Sequence, residues 1–466
     1  MNPEQICRKA LLSPSGMGMA ILGLAPMLAA DDAIQDLSPR ESHFTPKAKR
    51  IIHIFLNGAP SQVDTFDPKP MLDKYDGKEL YLKYKTERPT GPGMKSPFSF
   101  KRYGQSGLPI SEIFEELGEF ADDLCVIRSM TTNVPNHERS ILMMNCGEGG
   151  VIRPSLGSWL TYGLGSVNQN LPGYVTLIPD GKPTSGARNW QSAFLPGIFQ
   201  STYVNTKYRN VHTMMPNLRN EQMGPAFQKQ QFDLLQELNQ KHLQQRKQDS
   251  LLEARIQSYE LGYRMQSSGS DAFDISKEPE HIRNMYGDNK QSRQLLIARR
   301  LIERGVRFVQ VWHDQGQPWD SHDNIEKAHR KLGRESSPGI AALIRDLKQR
   351  GMLNDTLLVI GGEFGRTPTV ELPRSGEVNK RTLGRDHNHH GFTTVLVGGG
   401  AKGGYAYGAT DEFGFKAIEN QVHVHDLHAT ILHLMGFDHE RLTYRHAGRE
   451  FRLTDVHGHV VKDIIA

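Results

Sequence analysis

At 466 residues the chain exceeds the usual limit for one hydrophobic core, a length that an α/β fold with one large, decorated sheet reaches. Its 56 basic and 52 acidic residues nearly cancel, and no basic stripe interleaved with aromatics occurs, which excludes the electrostatic footprint of a nucleic-acid-binding protein. Three cysteines exclude a disulfide framework; Cys7 lies near the N-terminus, and Cys125 and Cys146 sit in apolar or helical patterns that predict buried free thiols.

Residues 1–30 read as an export signal. Arg8 and Lys9 precede a small, apolar run from Gly16 to Ala30 that is too short and glycine-rich to span a bilayer. Cys7 to Leu12 resembles a twin-arginine signal with lysine in the second basic position, which predicts a periplasmic or extracellular protein. No other stretch of eighteen apolar residues follows, so no integral membrane segment is expected in the mature chain.

The first strand pattern is Ile51 to Leu56, broken at Asn57-Gly58-Ala59-Pro60. Asp64 and Asp67 come just after it; Asp67 precedes a proline and reads as a turn residue, leaving Asp64 as the candidate ligand. Residues 71–110 are polar and proline-dotted, a surface excursion able to cover a site. Ser111 to Phe120 has apolar residues at helical spacing after a serine, and Leu124 to Ile127 is a short strand. A helix pattern closed by Gly147 then puts His137 near a helix N-terminus at a strand end, where backbone amides favour an anion.

Pro172 to Ile178 is a further strand. Between 225 and 266, Phe232, Leu235, Leu238, Leu252, Ile256, Tyr259 and Tyr263 recur at three and four residues, which predicts an amphipathic helical arm laid on the core. Gln291 to Gly305 reads as a helix and Val306 to Trp312 as a strand, followed by a segment rich in ligand-type side chains. Asp320 and His322, two apart on extended chain, project to one side; Asp323 reads as a helix cap. Pro338 to Arg350 is the next helix.

The remaining elements frame the chemistry. Thr356 to Ile360 is a strand of branched residues buried on both faces, and it delivers Glu363 past its carboxyl end, where open α/β sheets bind ligands. Asp386, His387, His389 and His390 then crowd four ligand-type side chains into five residues before a second buried strand, Phe392 to Val397. Hard oxygen and borderline nitrogen together suit zinc, manganese or iron. His425 to Gly436 reads as a helix on which His428 and His433, five apart, do not share a face.

This order of elements resembles the alkaline phosphatase and sulfatase superfamily. More closely, the chain resembles the exported, sulfatase-like bacterial family known as domain of unknown function 1501. The residues that carry the likeness are Pro60-Ser61 with Asp64 to Pro70, Arg304 to Gln310, Trp319-Asp320 with His322, Gly362 to Pro368 and Gly384 to His387. The resemblance implies an alkaline-phosphatase-like sandwich over residues 46–466, with a large, mostly parallel central sheet, helices on both faces and the helical insertion at about 225–266.

It also implies a metal-dependent hydrolase acting on a small anionic sulfate or phosphate ester, a sulfated glycan included. One or two divalent ions are implied, with zinc, calcium, manganese and magnesium not distinguished. By motif the ligands would be Asp64, Asp320, His322, Asp386 and His387; His390 matches the superfamily's final histidine, Glu363 stands where the superfamily has an aspartate, and Arg366 would clamp the anion. The chain departs from the pattern where a sulfatase begins its nucleophile helix with cysteine or serine, since the corresponding position is His137. Three routes stay open: His137 as a metal ligand with direct attack by activated water, a displaced Thr131, Thr132 or Ser140 nucleophile, or binding without turnover. A non-catalytic scaffold and a metal-dependent phosphomutase are the alternative functions.

Overall fold

The computed structural model describes residues 37–215, 270–373 and 383–466, together with scattered positions between 224 and 265. The expected export signal lies outside the described residues, as does most of the expected helical arm. Of the arm's described positions, Leu261 and Met265 are buried, but Leu235 and Leu238 are 56% and 54% exposed, so those two leucines do not pack as their spacing predicts.

Among the described residues nine strands form the central sheet: β1 (Arg50–Phe55), β2 (Leu124–Thr131), β3 (Tyr174–Ile178), β4 (Thr202–Asn205), β5 (Phe308–Trp312), β6 (Thr356–Gly361), β7 (Phe392–Val397), β8 (Tyr405–Tyr407) and β9 (Val422–His423). Their order is β8-β2-β7-β6-β1-β5-β3-β4, with β9 also pairing β2. Every pair is parallel except the two made by β7. The innermost strands are near-continuous apolar runs because both faces are covered, and β3 and β5 are buried at every position.

Helices α1 (His137–Cys146), α2 (Leu156–Leu164), α3 (Lys290–Glu303), α4 (Ile325–Gln349) and α5 (Val424–Leu434) pack around it. Asn136 caps α1 by accepting from Arg139 N, and Gly147 closes it at φ +69°, the left-handed conformation that glycine takes without a Cβ penalty. Helix α4 begins at Ile325, well before the expected Pro338. The apolar face Ile325, Leu332, Ile340, Leu343 and Leu347 continues straight through the proline, and burial of that face outweighs the hydrogen bond the ring removes. Its cap position is Asn324, not Asp323. Glu112–Asp123 winds as 3-10 turns broken at Phe114 and Phe120; Ser111 makes no side-chain cap to start an α-helix there.

Cys125 and Cys146 are buried and free, and burial pushes both thiols up to about 12. Strands β1, β2, β5 and β6 all end at one rim of the sheet. Because β7 runs the other way, it starts at that rim, so the residues preceding it arrive where those following the other strands do. Over the rim lies a three-stranded antiparallel sheet, absent from the sequence reading, in which Gly365–Glu371 pairs with Arg385–Asn388 on one side and Thr90–Gly93 on the other. Its register sets Arg366 opposite His387.

Candidate metal centre

The rim gathers three histidines from three segments: His137 from the start of α1, His322 from the loop after β5, and His387 from the small sheet. Their Nε2 atoms converge on a single oxygen, Asp320 Oδ1, at 3.2, 2.9 and 3.3 Å. Arg366 Nη2 reaches the same oxygen at 2.7 Å. The rings pack against one another, His137 edge-on to His387 at 4.3 Å and His322 tilted against His387 at 4.8 Å between centroids, with Phe364 packed on His137 and His387 as an apolar backing.

Each histidine is held from behind by its own carboxylate. His137 Nδ1 lies 2.6 Å from Glu363 Oε1, His387 Nδ1 lies 2.5 Å from Glu87 Oε2, and His322 Nδ1 contacts Glu371 Oε2. A carboxylate on Nδ1 fixes the tautomer that leaves the Nε2 lone pair facing forward, the arrangement that metal-ligating histidines use. Glu363 is itself fully buried and pinned by Gly58 N, donating at 3.0 and 3.2 Å to its two oxygens. Gly58 sits at φ +104°, and a Cβ there would fall 2.7 Å from the backbone nitrogens of Trp319 and Asp320, so only glycine brings β1's exit this close to the Asp320 segment.

The charges agree with the geometry. Burial opposes the Asp320 carboxylate, yet Arg366 and the three histidines hold it far below the usual carboxylate range. Burial likewise opposes protonation of His137 and His322, and their carboxylate partners override it and raise both. Asp386 is raised, chiefly by burial. Its Oδ2 accepts Arg88 N at 2.7 Å, whereas Oδ1 is buried without a partner.

Among the described residues, two overlapping sets of side chains have ligand atoms within 4.8 Å of one another: His137, Asp320 and His387, and His322, Asp386 and His387. These residues fit a divalent cation. His137 Nε2 and His322 Nε2, though near Asp320, are not aligned for hydrogen bonds and are buried without any other partner, as is Asp386 Oδ1. Three imidazole nitrogens and two carboxylates make a donor set suited to zinc or manganese.

The ligand assignments change accordingly. Asp320, His322, Asp386 and His387 come together, and His137 joins them. Asp64 does not: its oxygens are taken by Arg385 at 2.8 and 3.1 Å and by the Ser61 hydroxyl at 2.6 Å, all buried. Glu363 orients His137 rather than facing the cluster. His390 turns outward, its Nε2 3.2 Å from Lys85 O and its ring beside Tyr84. Arg366 is fully buried, and its guanidinium is spent on Ala59 O, Gly58 O and Asp320, leaving no free fork for a substrate anion. Ser140 donates to Val134 O, a carbonyl of its own α1 approach. Sequence reasoning missed Glu87 and Glu371. The excursion of residues 71–110 does reach the site, bringing Glu87 to His387 and Arg88 to Glu371 at 2.9 Å, but Gly365–Glu371, with Pro368 in its middle, carries no alternating pattern in the sequence to mark the strand that holds Glu371.

A family model described as "Protein of unknown function (DUF1501)" matches residues 48–465. The chain belongs to this family. No curated protein matches the DUF1501 chain. It is similar to the solved lipoteichoic acid synthase LtaP from Listeria monocytogenes at 10% identity and a TM-score of 0.37, covering 92% of this chain and 80% of that one. It is also similar to the PsFucS1 sulfatase from Pseudoalteromonas sp. (12% identity, TM-score 0.35, 94% and 73% covered) and to an alkaline phosphatase from the Antarctic bacterium TAB5 (10%, 0.33, 84% and 98%). Among the described residues of this DUF1501 protein, no helix is long and apolar enough to cross a membrane.

Proposed function

We propose that this DUF1501 protein is an exported, metal-dependent hydrolase of sulfate or phosphate esters. The observation that carries the reading is the convergence of three carboxylate-backed histidine Nε2 atoms with Asp320 and Asp386 at the carboxyl-end rim of the sheet. His137, His322, His387, Asp320 and Asp386 would hold the ion or ions. When bound, a divalent ion there polarises an ester oxygen and lowers the pKa of an attacking water.

The chain's own groups do the rest. Glu363, Glu371 and Glu87 keep the three rings in one tautomer and orientation, so the donor set is rigid before any substrate arrives. The amino end of α1 lies at His137, where backbone amides favour an anionic ester group. Phe364 shields the rings from water on one side, and Glu87 with Arg88 covers another. With His137 in the helix-start position and the Ser140 hydroxyl turned away, we assign direct attack by water rather than a covalent serine intermediate. A second reading, ion-dependent binding of a sulfated or phosphorylated ligand without turnover, is favoured by the one observation that Arg366 is fully consumed by protein acceptors.

Elemental analysis of the purified protein and turnover of an aryl sulfate and aryl phosphate panel test the reading. Stoichiometric metal with turnover, and loss of metal in His137→Ala and Asp386→Ala, are expected. Metal without turnover on any ester supports the binding reading; a protein that takes up no divalent ion after reconstitution overturns both.

A further inference from the structure

The motif Arg304-Gly-Val-Arg307 plays no part in the metal centre, for it leads into β5 at the opposite rim of the sheet. There Arg50 opens β1 beside it, and Ile51 N donates to Arg307 O at 2.9 Å, so two arginines begin neighbouring parallel strands side by side. Like charges in adjacent strands repel. The local carboxylates relieve this pair only on the Arg50 side, and weakly. Asp355 is shared, 2.8 Å from Lys49 Nζ and 3.7 Å from Arg50 Nη2, and Glu303 is engaged by Arg299 at 2.7 Å and Arg350 at 2.9 Å.

Among the described residues Arg307 has no carboxylate partner at all. Its Nη1 donates to Lys49 O at 3.1 Å, and its Nε, like that of Arg50, is buried without a partner. Burial, and then Arg50, depress the Arg307 guanidinium from its ordinary value, as expected of a cation lacking its counter-ion. Arg50, Arg307, Lys49 and Arg304 all line one cavity of about 650 Å3, whose apolar wall includes Val167 and Val306.

We propose that this cavity is a second, separate anion site, binding a phosphate or sulfate group between Arg50 and Arg307, either free or as the charged end of a small molecule. Guanidinium forks match tetrahedral oxyanions bidentately, and such an anion would cancel the repulsion across the strand pair. The site is independent of the metal centre and of the activity proposed for it.

The test is the melting temperature and binding heat of the full chain titrated with inorganic phosphate, against chloride at matched ionic strength. Saturable stabilisation of the wild type is expected. His387→Ala should keep it, whereas Arg307→Gln and Arg50→Gln should each bind at least about tenfold more weakly, the scale of one charge-assisted hydrogen bond, with metal content and ester turnover at wild-type levels. Arg307→Gln should melt no lower than wild type in chloride, because it removes a like-charge contact and no ion pair. Glycerol phosphate binding tighter than inorganic phosphate identifies the small-molecule form, and the reverse identifies the free ion. Absence of saturable stabilisation, its survival in both arginine variants, or its loss in His387→Ala alone overturns the proposal.

Discussion

Replacing Asp64 by alanine separates two roles that the motif and the fold assign to it. In the structure Asp64 and Arg385 are both fully buried, with contacts of 2.8 and 3.1 Å, and removing the carboxylate strands a buried guanidinium. Breaking a buried pair from one side costs about 3–5 kcal/mol. Arg385 retains acceptors in Thr367 O at 3.2 Å and Met94 O at 3.1 Å, which places the expected loss near the lower end, about 3 kcal/mol. At roughly 2.1 cal/mol/K per residue, a chain of 466 residues unfolds with an entropy close to 1 kcal/mol/K, so the melting temperature should fall by about 3 °C. Burial opposes the Asp64 charge but Arg385 and Ser61 lower its pKa below the ordinary value, so the pair's contribution is present above about pH 4 and disappears as pH falls through the folded value. The assay is a thermal melt at pH 7 together with metal content. Asp64→Ala should melt lower and keep its metal. A variant that melts like wild type but loses the ion would refute the ion-pair assignment and restore Asp64 as a ligand.

Glu371→Gln keeps the shape but weakens the grip on His322 Nδ1, and metal affinity measured by chelator competition should drop about 10- to 100-fold; unchanged affinity would mean that His322 is oriented by something else. Burial holds His53, His329 and His428 each at about 3, against roughly 6.5 in an unfolded chain. A depressed folded value means stability that is present above pH 6.5 and falls below it, by up to about 1.4 kcal/mol per pH unit for each histidine until pH approaches 3. Melts between pH 7 and 4 check the slope, and a flat profile refutes the neutral assignment.

Six of the nine main-sheet strands were legible because burial on both faces writes itself into sequence as unbroken branched runs such as Thr356 to Ile360; the short strands β4, β8 and β9 carry no such run and were not. Segment order did the same for the site: Asp320, His322, Asp386 and His387 each lie just past or just before such a run. Asp64 shows where that inference fails. A carboxylate near a strand end satisfies the same pattern whether its partner is an ion or a guanidinium, and Arg385, more than three hundred residues away in sequence, is not distinguishable as that partner. Glu87 and Glu371 were hidden for a related reason: they touch Nδ1 of candidate ligands, and nothing local marks a glutamate that meets only the back of a distant ring. Leu235 and Leu238 mark the limit of periodicity, which predicts that a face exists and not that anything covers it.

One reversed strand has a consequence for how the protein matures. With β7 running against its neighbours, the cluster draws donors from the approach to one strand and the exits of others, so His137, far ahead of the other four donors in the chain, reaches them only once β2, β6 and β7 have paired. On the metal-dependent reading proposed above, an ion held by His137 together with the later four reports on that assembly: a chain synthesised only through α2 carries His137 alone of the five, and tight retention of an ion during dialysis would serve as a label for molecules that have finished folding.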